Sequence, residues 1–171
     1  MNNEVLSSFA QQEAKRYKIK VGVFLFLIQN DHILLLRRFN TGIADGLYVV
    51  PMGGLKQGET ASQGIIREAK EEADIILKPH DIQACHIMHR LHHMPEGNSF
   101  EQMDVFFRAT SYEGVIKNAE PHKCDELKFY PINNLPSNTE HFICHALECV
   151  LNGEFFSEFG WQESLAEVIT C

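Results

Sequence analysis

The chain has 171 residues, 44% hydrophobic and 22% charged, with 15 Lys and Arg against 23 Asp and Glu for a net charge of −8. That profile suits one ordinary globular domain, and its acidity argues against DNA, whose phosphate backbone calls for a basic stripe. No apolar run reaches the roughly 18 residues of a membrane span, and Met1 to Lys20 lacks a signal-peptide core, so a cytoplasmic protein without a membrane partner is expected.

Taken in order, Glu4 to Arg16 reads as a short polar helix. Ile19 to Ile28 is β-branched and aromatic, and Gln29-Asn30-Asp31 turns it into His32 to Phe39, so the two predict a hairpin. Asn40 to Gly46 reads as a loop and Leu47 to Val50 as a short strand stopped by Pro51. Gly53 to Glu59 is a glycine-rich loop, and Thr60 to Ala73 is the clearest helix, with Ala61, Ile65, Ala69 and Ala73 in one apolar stripe. Strands are expected over Ile82 to Leu91 and Met103 to Ser111 with a loop over His93 to Ser99 between them, and a last short one over Leu127 to Tyr130. Ser137 or Thr139 would cap a final helix ended by Gly153. Hairpins with helices set between them predict an α+β fold with a mixed sheet. A helical lead-in is expected over 1–17, the main domain over 18–152 and a packed tail over 153–171.

Five scattered cysteines without a Cys-x-x-Cys pair read as reduced thiols. His86 and His92 fall on one face of their strand, His89 and His93 on the other, and no spacing completes a tetrahedral site, so structural or substrate-stacking roles are favoured over zinc. The aromatic run from Phe155 to Trp161 could be core, a self-association patch giving a homodimer, or a substrate lid, packing being favoured.

The chemistry concentrates between Gly53 and Ile75. At about 100° per residue, Glu68, Glu71 and Glu72 share a third of their helix circumference, with Gly64 adding no side chain to that face. Like charges three and four residues apart cost a bare helix roughly 0.2–0.5 kcal/mol per pair. A hard cation, Mg²⁺ or Mn²⁺, would offset that cost and could share its shell with a phosphorylated ligand. From Lys56 to Ile75, three basic residues stand against five acidic ones, so part of the overall acidity is concentrated here.

Six fixed positions, Gly53, Glu59, Arg67, Glu68, Glu71 and Glu72, fit Gly-x5-Glu-x7-Arg-Glu-hydrophobic-x-Glu-Glu. At ~7% per residue type, chance would produce this about twice in 10⁵ chains of this length, so the segment is identified as the signature of the Nudix hydrolase family. The order of elements over residues 18 to 152 resembles that family's α/β/α sandwich, and RRFNTGIADG, HIMHR, CDELKFYPINNLP and SEFGW resemble a MutT-like bacterial branch. Two positions depart from the family pattern: Asp74 stands where glycine usually follows the glutamates, and Met52 stands inside the usual Pro-Gly-Gly.

The resemblance implies an Mg²⁺- or Mn²⁺-dependent pyrophosphohydrolase of a small nucleotide, either a nucleoside triphosphate or a nucleoside diphosphate linked to another group. A catalytically silent nucleotide-binding sensor is the alternative. It further implies Glu68 and Glu72 as metal ligands with the Gly53 carbonyl, Glu71 as ligand or general base, Arg67 as the residue that orients a motif glutamate, and Glu59 as a loop-ordering group. Arg38, Asn40, Glu120 and Asp125 are candidate substrate-binding residues, with Glu120 also the first candidate for an extra ligand or base and Asp125 a candidate nucleobase contact.

Overall fold

The computed structural model describes residues 3–93 and 99–161, with side chains from residue 9 onward; the middle of the loop expected after His93 and the last cysteine, Cys171, lie outside these. Helix α1 (Asn3–Lys15) leads into β1 (Lys20–Phe26), β2 (Ile28–Gln29), β3 (His32–Arg38), β4 (Tyr48–Val49) and β5 (Met52–Gly54). Helix α2 (Ala61–Ala73) follows, then β6 (Ile82–His93), β7 (Ser99–Ala109), β8 (Cys124–Pro131), α3 (His141–Leu151) and β9 (Phe156–Phe159). Two strands escape the sequence pattern, β5 inside the glycine-rich loop and β9 in the aromatic tail, both too short to show a period.

Sheet A runs β5-β1-β7-β6-β9, with β1 parallel to β7 and antiparallel to β5, so it is mixed as expected. In sheet B, β3 carries β2 and β4 on one side and β8 on the other. The hairpin predicted from Ile19 to Phe39 is therefore mostly absent: only Ile28 and Gln29 pair with β3, while β1 leaves at Leu27 for the other sheet.

Alternation along β1 divides the core. Phe24 and Phe26 pack with Phe106, Met88 and the Phe142, Ile143, Ala146 and Leu147 side of α3. Val23 and Leu25 pack beneath Ile65, Ala69 and Ala73 of α2. The long sheet is thus covered by α2 on one face and α3 on the other, an arrangement only an apolar strand on both faces allows.

Both ends of α2 follow local chemistry. Thr60 and Gln63 form a reciprocal capping box, and Asp74 closes the helix at φ 56° in the left-handed region. The final helix differs from expectation: Glu140 precedes it without a side-chain cap, and the Thr139 hydroxyl donates instead to the Pro136 carbonyl at 2.7 Å. Among the described residues, Cys85, Cys124 and Cys149 carry free thiols, and no helix is long and apolar enough to cross a membrane.

Candidate functional site

The helix α2, the loop before it and β5 build one wall of a cleft of about 370 Å³, lined by Glu68, Glu71, Glu72, Arg67, Lys56 and Met52. Arg38, Thr41 and Leu36 supply a second wall, and Glu120, Lys123 and Cys124 a third. The first two walls rest on different sheets: β5 hangs on β1 in sheet A, with Gly53 opposite Val23, while β3 lies in sheet B.

Arg67 organises the carboxylates. Its guanidinium donates to Glu59 at 2.7 and 3.0 Å, to Glu68 at 2.5 Å, to Glu71 at 3.1 Å and to the Gly54 carbonyl at 3.2 Å. That fork of five N–H donors satisfies a loop and two helix side chains at once. The Arg67 guanidinium, with the Lys56 backbone N–H at 2.6 Å, holds the Glu59 carboxyl down to about 2. Glu59 accordingly braces the loop, the place expected for it.

Deeper in, Glu72 accepts the Met52 backbone N–H at 2.8 Å, and burial still pushes its carboxyl up to about 8, helped by the charges of Glu68 and Glu120. Burial likewise raises Glu68 against the opposing pull of Arg67. Gly53 explains how Glu68 fits: a Cβ built on Gly53 would lie 2.0 Å from a Glu68 carboxylate oxygen. Gly64 does more than leave the glutamate face of the helix without a side chain. It is buried, and a Cβ there would meet Leu55 at 2.6 Å, so it seats the loop rather than clearing room for a ligand.

The four non-motif candidates separate. Arg38 and Glu120 line the cleft with the motif glutamates. Asp125 lies outside that lining and forms a two-pronged pair with Arg37 at 2.8 and 3.0 Å. A bulge between Arg37 and Arg38 sets Arg38 opposite Cys124 and leaves Asp125 beside Arg37. Asn40 is exposed at φ 54°, turning the chain at the end of β3 rather than lining the cleft. The loop after it is knotted by Asp45, which accepts from the Thr41 and Gly42 backbone N–H groups and the Thr41 hydroxyl.

Sequence reasoning passed over Lys56, Thr41 and Lys123 as cleft residues. Lys123 had a signal, standing three residues after Glu120 across a proline turn, a spacing that brings the two side chains together.

The histidines lie elsewhere. His86 bonds the Glu154 carbonyl and the Ser157 hydroxyl, both at 2.9 Å, and thereby ties β9 to β6. His92 stacks on Phe100, His89 packs against Trp161, and His93 reaches the Gly160 carbonyl at 2.8 Å.

The donor set suits a hard divalent cation. It consists of carboxylate oxygens, one of them held high in pKa by burial beside two like charges, next to a backbone that carries no Cβ. Among the described residues no group of three His, Cys or acidic side chains stands converged on one ion position, and Arg67 draws Glu68 and Glu71 to itself.

Residues 17–157 match the family model of the NUDIX domain. An ADP-ribose pyrophosphatase of Methanocaldococcus jannaschii is 26% identical over 130 residues, covering 74% of this chain and 72% of that protein. Human 8-oxo-dGDP phosphatase NUDT18 is 26% identical over 127 residues, 72% of this chain but 36% of that protein. A MutT NUDIX hydrolase from Burkholderia pseudomallei superposes with a TM-score of 0.68 at 22% identity, covering 77% of this chain and 98% of that one. MutT from Bacillus halodurans gives 0.65 at 19% identity over 82% and 88% of the two chains, a likeness of fold.

Proposed function

Since the chain belongs to the Nudix family of hydrolases, which act on acid anhydrides in phosphorus-containing compounds, we propose that it cleaves a diphosphate bond in a small nucleotide, using a divalent cation held by Glu68 and Glu72 with the Gly53 carbonyl. The observation that carries this reading is the gathering of all three motif glutamates and Arg67 on one cleft, with the bare Gly53 backbone behind it against the Glu68 carboxylate. The names of two relatives, an ADP-ribose pyrophosphatase and an 8-oxo-dGDP phosphatase, support a nucleotide carrying a diphosphate as the substrate class.

A bound Mg²⁺ or Mn²⁺ would offset phosphate charge and lower the pKa of an attacking water. The protein's own groups do the rest. Arg67 holds Glu68 and Glu71 in place. Glu71, its side chain 44% exposed and the most open of the three, takes the water's proton. Glu72 is fixed by the Met52 N–H, so its carboxylate keeps a constant position at the cleft floor. Arg38, anchored to the Ile43 carbonyl at 2.8 Å and the Thr41 hydroxyl at 3.0 Å, offers a fixed positive charge to the phosphates from the opposite wall.

The test is phosphate or nucleotide release from a panel including ADP-ribose and 8-oxo-dGDP, with Mg²⁺ or Mn²⁺. Glu71→Gln should lower kcat about 10²- to 10⁴-fold, the usual worth of a general base, and Glu72→Gln should weaken metal binding, so that activity needs a higher Mg²⁺ or Mn²⁺ concentration. Full activity in Glu72→Gln would remove the metal assignment. Binding of nucleotides without turnover by the wild type would favour a sensor.

A further inference from the structure

Two basic side chains reach the cleft from outside the motif segment, Arg38 and Lys123, and they are held in opposite ways. Arg38 spends two N–H groups on the loop after β3. Lys123 has a side chain 52% exposed and an ion pair with Glu120 at 2.7 Å. The backbone beneath this pair is firm: the N–H groups of Lys123 and Cys124 both donate to the Glu120 carbonyl, at 2.9 and 3.0 Å. Asn118 pins the turn at both ends, accepting the Glu120 N–H at 3.1 Å and donating to the Cys124 carbonyl at 2.7 Å. These bonds tie down the backbone of the turn, while the lysine side chain is held at its tip by Glu120. Its ammonium also feels the charges of Glu72 and Glu68 across the cleft.

We propose that Lys123 is an internal counter-ion of the cleft, seated on Glu120 in the metal-free protein, which turns to the substrate's phosphates once a divalent cation takes over that carboxylate. The inference rests on reading the cleft as the diphosphate-cleaving site. Lysine suits the role: its charge is a compact point on a flexible four-carbon stem with three donors, so it changes partners without breaking a planar fork. An exposed Lys–Glu pair is weak enough to be given up when a doubly charged ion competes for the same oxygens. Lys123 is then a phosphate-positioning residue in the loaded enzyme and a competitor of the metal in the free one.

These two roles predict effects of opposite sign, which a merely structural residue would not give. Mn²⁺ is titrated calorimetrically into metal-free protein, and α,β-methylene-ADP, a diphosphate that resists hydrolysis, into the Mn²⁺-loaded protein. Lys123→Met should bind Mn²⁺ about two- to fivefold more tightly, and the nucleotide about fivefold more weakly. Lys123→Arg should restore nucleotide binding. Lys117→Met, which removes a charge paired with Asp74 away from the cleft, should change neither. In a Glu120→Gln background the Mn²⁺ gain from Lys123→Met should vanish. Unchanged or weaker Mn²⁺ binding in Lys123→Met, a gain that persists without the Glu120 carboxylate, or unaltered nucleotide binding would each overturn the proposal. Wild-type protein that takes up no Mn²⁺ would instead overturn the metal-dependent reading of the cleft beneath it.

Discussion

Gly53 and Arg67 determine whether the glutamates can act together. Gly53→Ala puts a methyl where the Glu68 carboxylate lies, 2.0 Å from one oxygen. It should lower kcat about 10- to 100-fold, as loss of ligand orientation does, while an unchanged far-UV circular dichroism spectrum would show the fold intact. Arg67→Lys keeps the charge but loses the fork that grips Glu59, Glu68 and Gly54 together. Its cleanest readout is pH. The Glu59 carboxyl, held down to about 2 from 4.5, contributes stability that is present above 4.5 and lost as pH falls toward 2. Arg67→Lys should therefore move the Glu59 titration, followed by NMR, back toward 4.5 and flatten acid unfolding across that interval. A titration left near 2 would show that the Lys56 N–H, not Arg67, dominates.

At the scale of elements, α2 is the part most completely written in local sequence. Its apolar stripe of Ile65, Ala69 and Ala73 is buried, its Thr60–Gln63 box closes the start, and Asp74 takes the left-handed position where glycine is usual in the family. Asp74 offsets its conformational cost through ion pairs with Lys70 and Lys117. Asp74→Gly removes both the strain and the pairs, so the denaturation midpoint should stay close to that of wild type. Asp74→Ala keeps the strain and loses the pairs, so chemical denaturation should show a lower midpoint than wild type. Neither should change kcat, since Asp74 lies outside the cleft lining. Strands β5 and β9 give the opposite lesson. Three and four residues long, they have no period to read, and they exist because β1 and β6 offer them unpaired edges.

Across the whole molecule, His86 fastens the last strand to the sheet through the Glu154 carbonyl and Ser157, with its ring wholly buried. Burial lowers its pKa below 6.5, so in mildly acid solution the unfolded chain binds a proton that the native one refuses, and stability falls as pH drops through 6.5. His86→Phe should cost about 1–3 kcal/mol at pH 7 from the polar groups it strands. Urea unfolding at pH 7 and 5.5 should then show a shallower pH dependence than wild type. Helix α2, its caps, the face shared by Glu68, Glu71 and Glu72, and the face shared by His86 and His92 along β6 were readable because each depends on residues a few positions apart. The sequence put Glu120 first as an extra ligand or base, but it kept Arg38, Asn40 and Asp125 beside it as substrate-binding candidates, since all four flank strand ends. Pairing between strands separated them: the bulge opposite Arg37 and Arg38 leaves Asp125 with Arg37, while Glu120 and Arg38 line the cleft with the motif. The same non-local pairing sends β1 to sheet A rather than into a hairpin with β3. Side-chain period is a property of neighbours along the chain, but a cleft walled by residues from Leu36 to Cys124 is a property of which backbones find each other's hydrogen bonds.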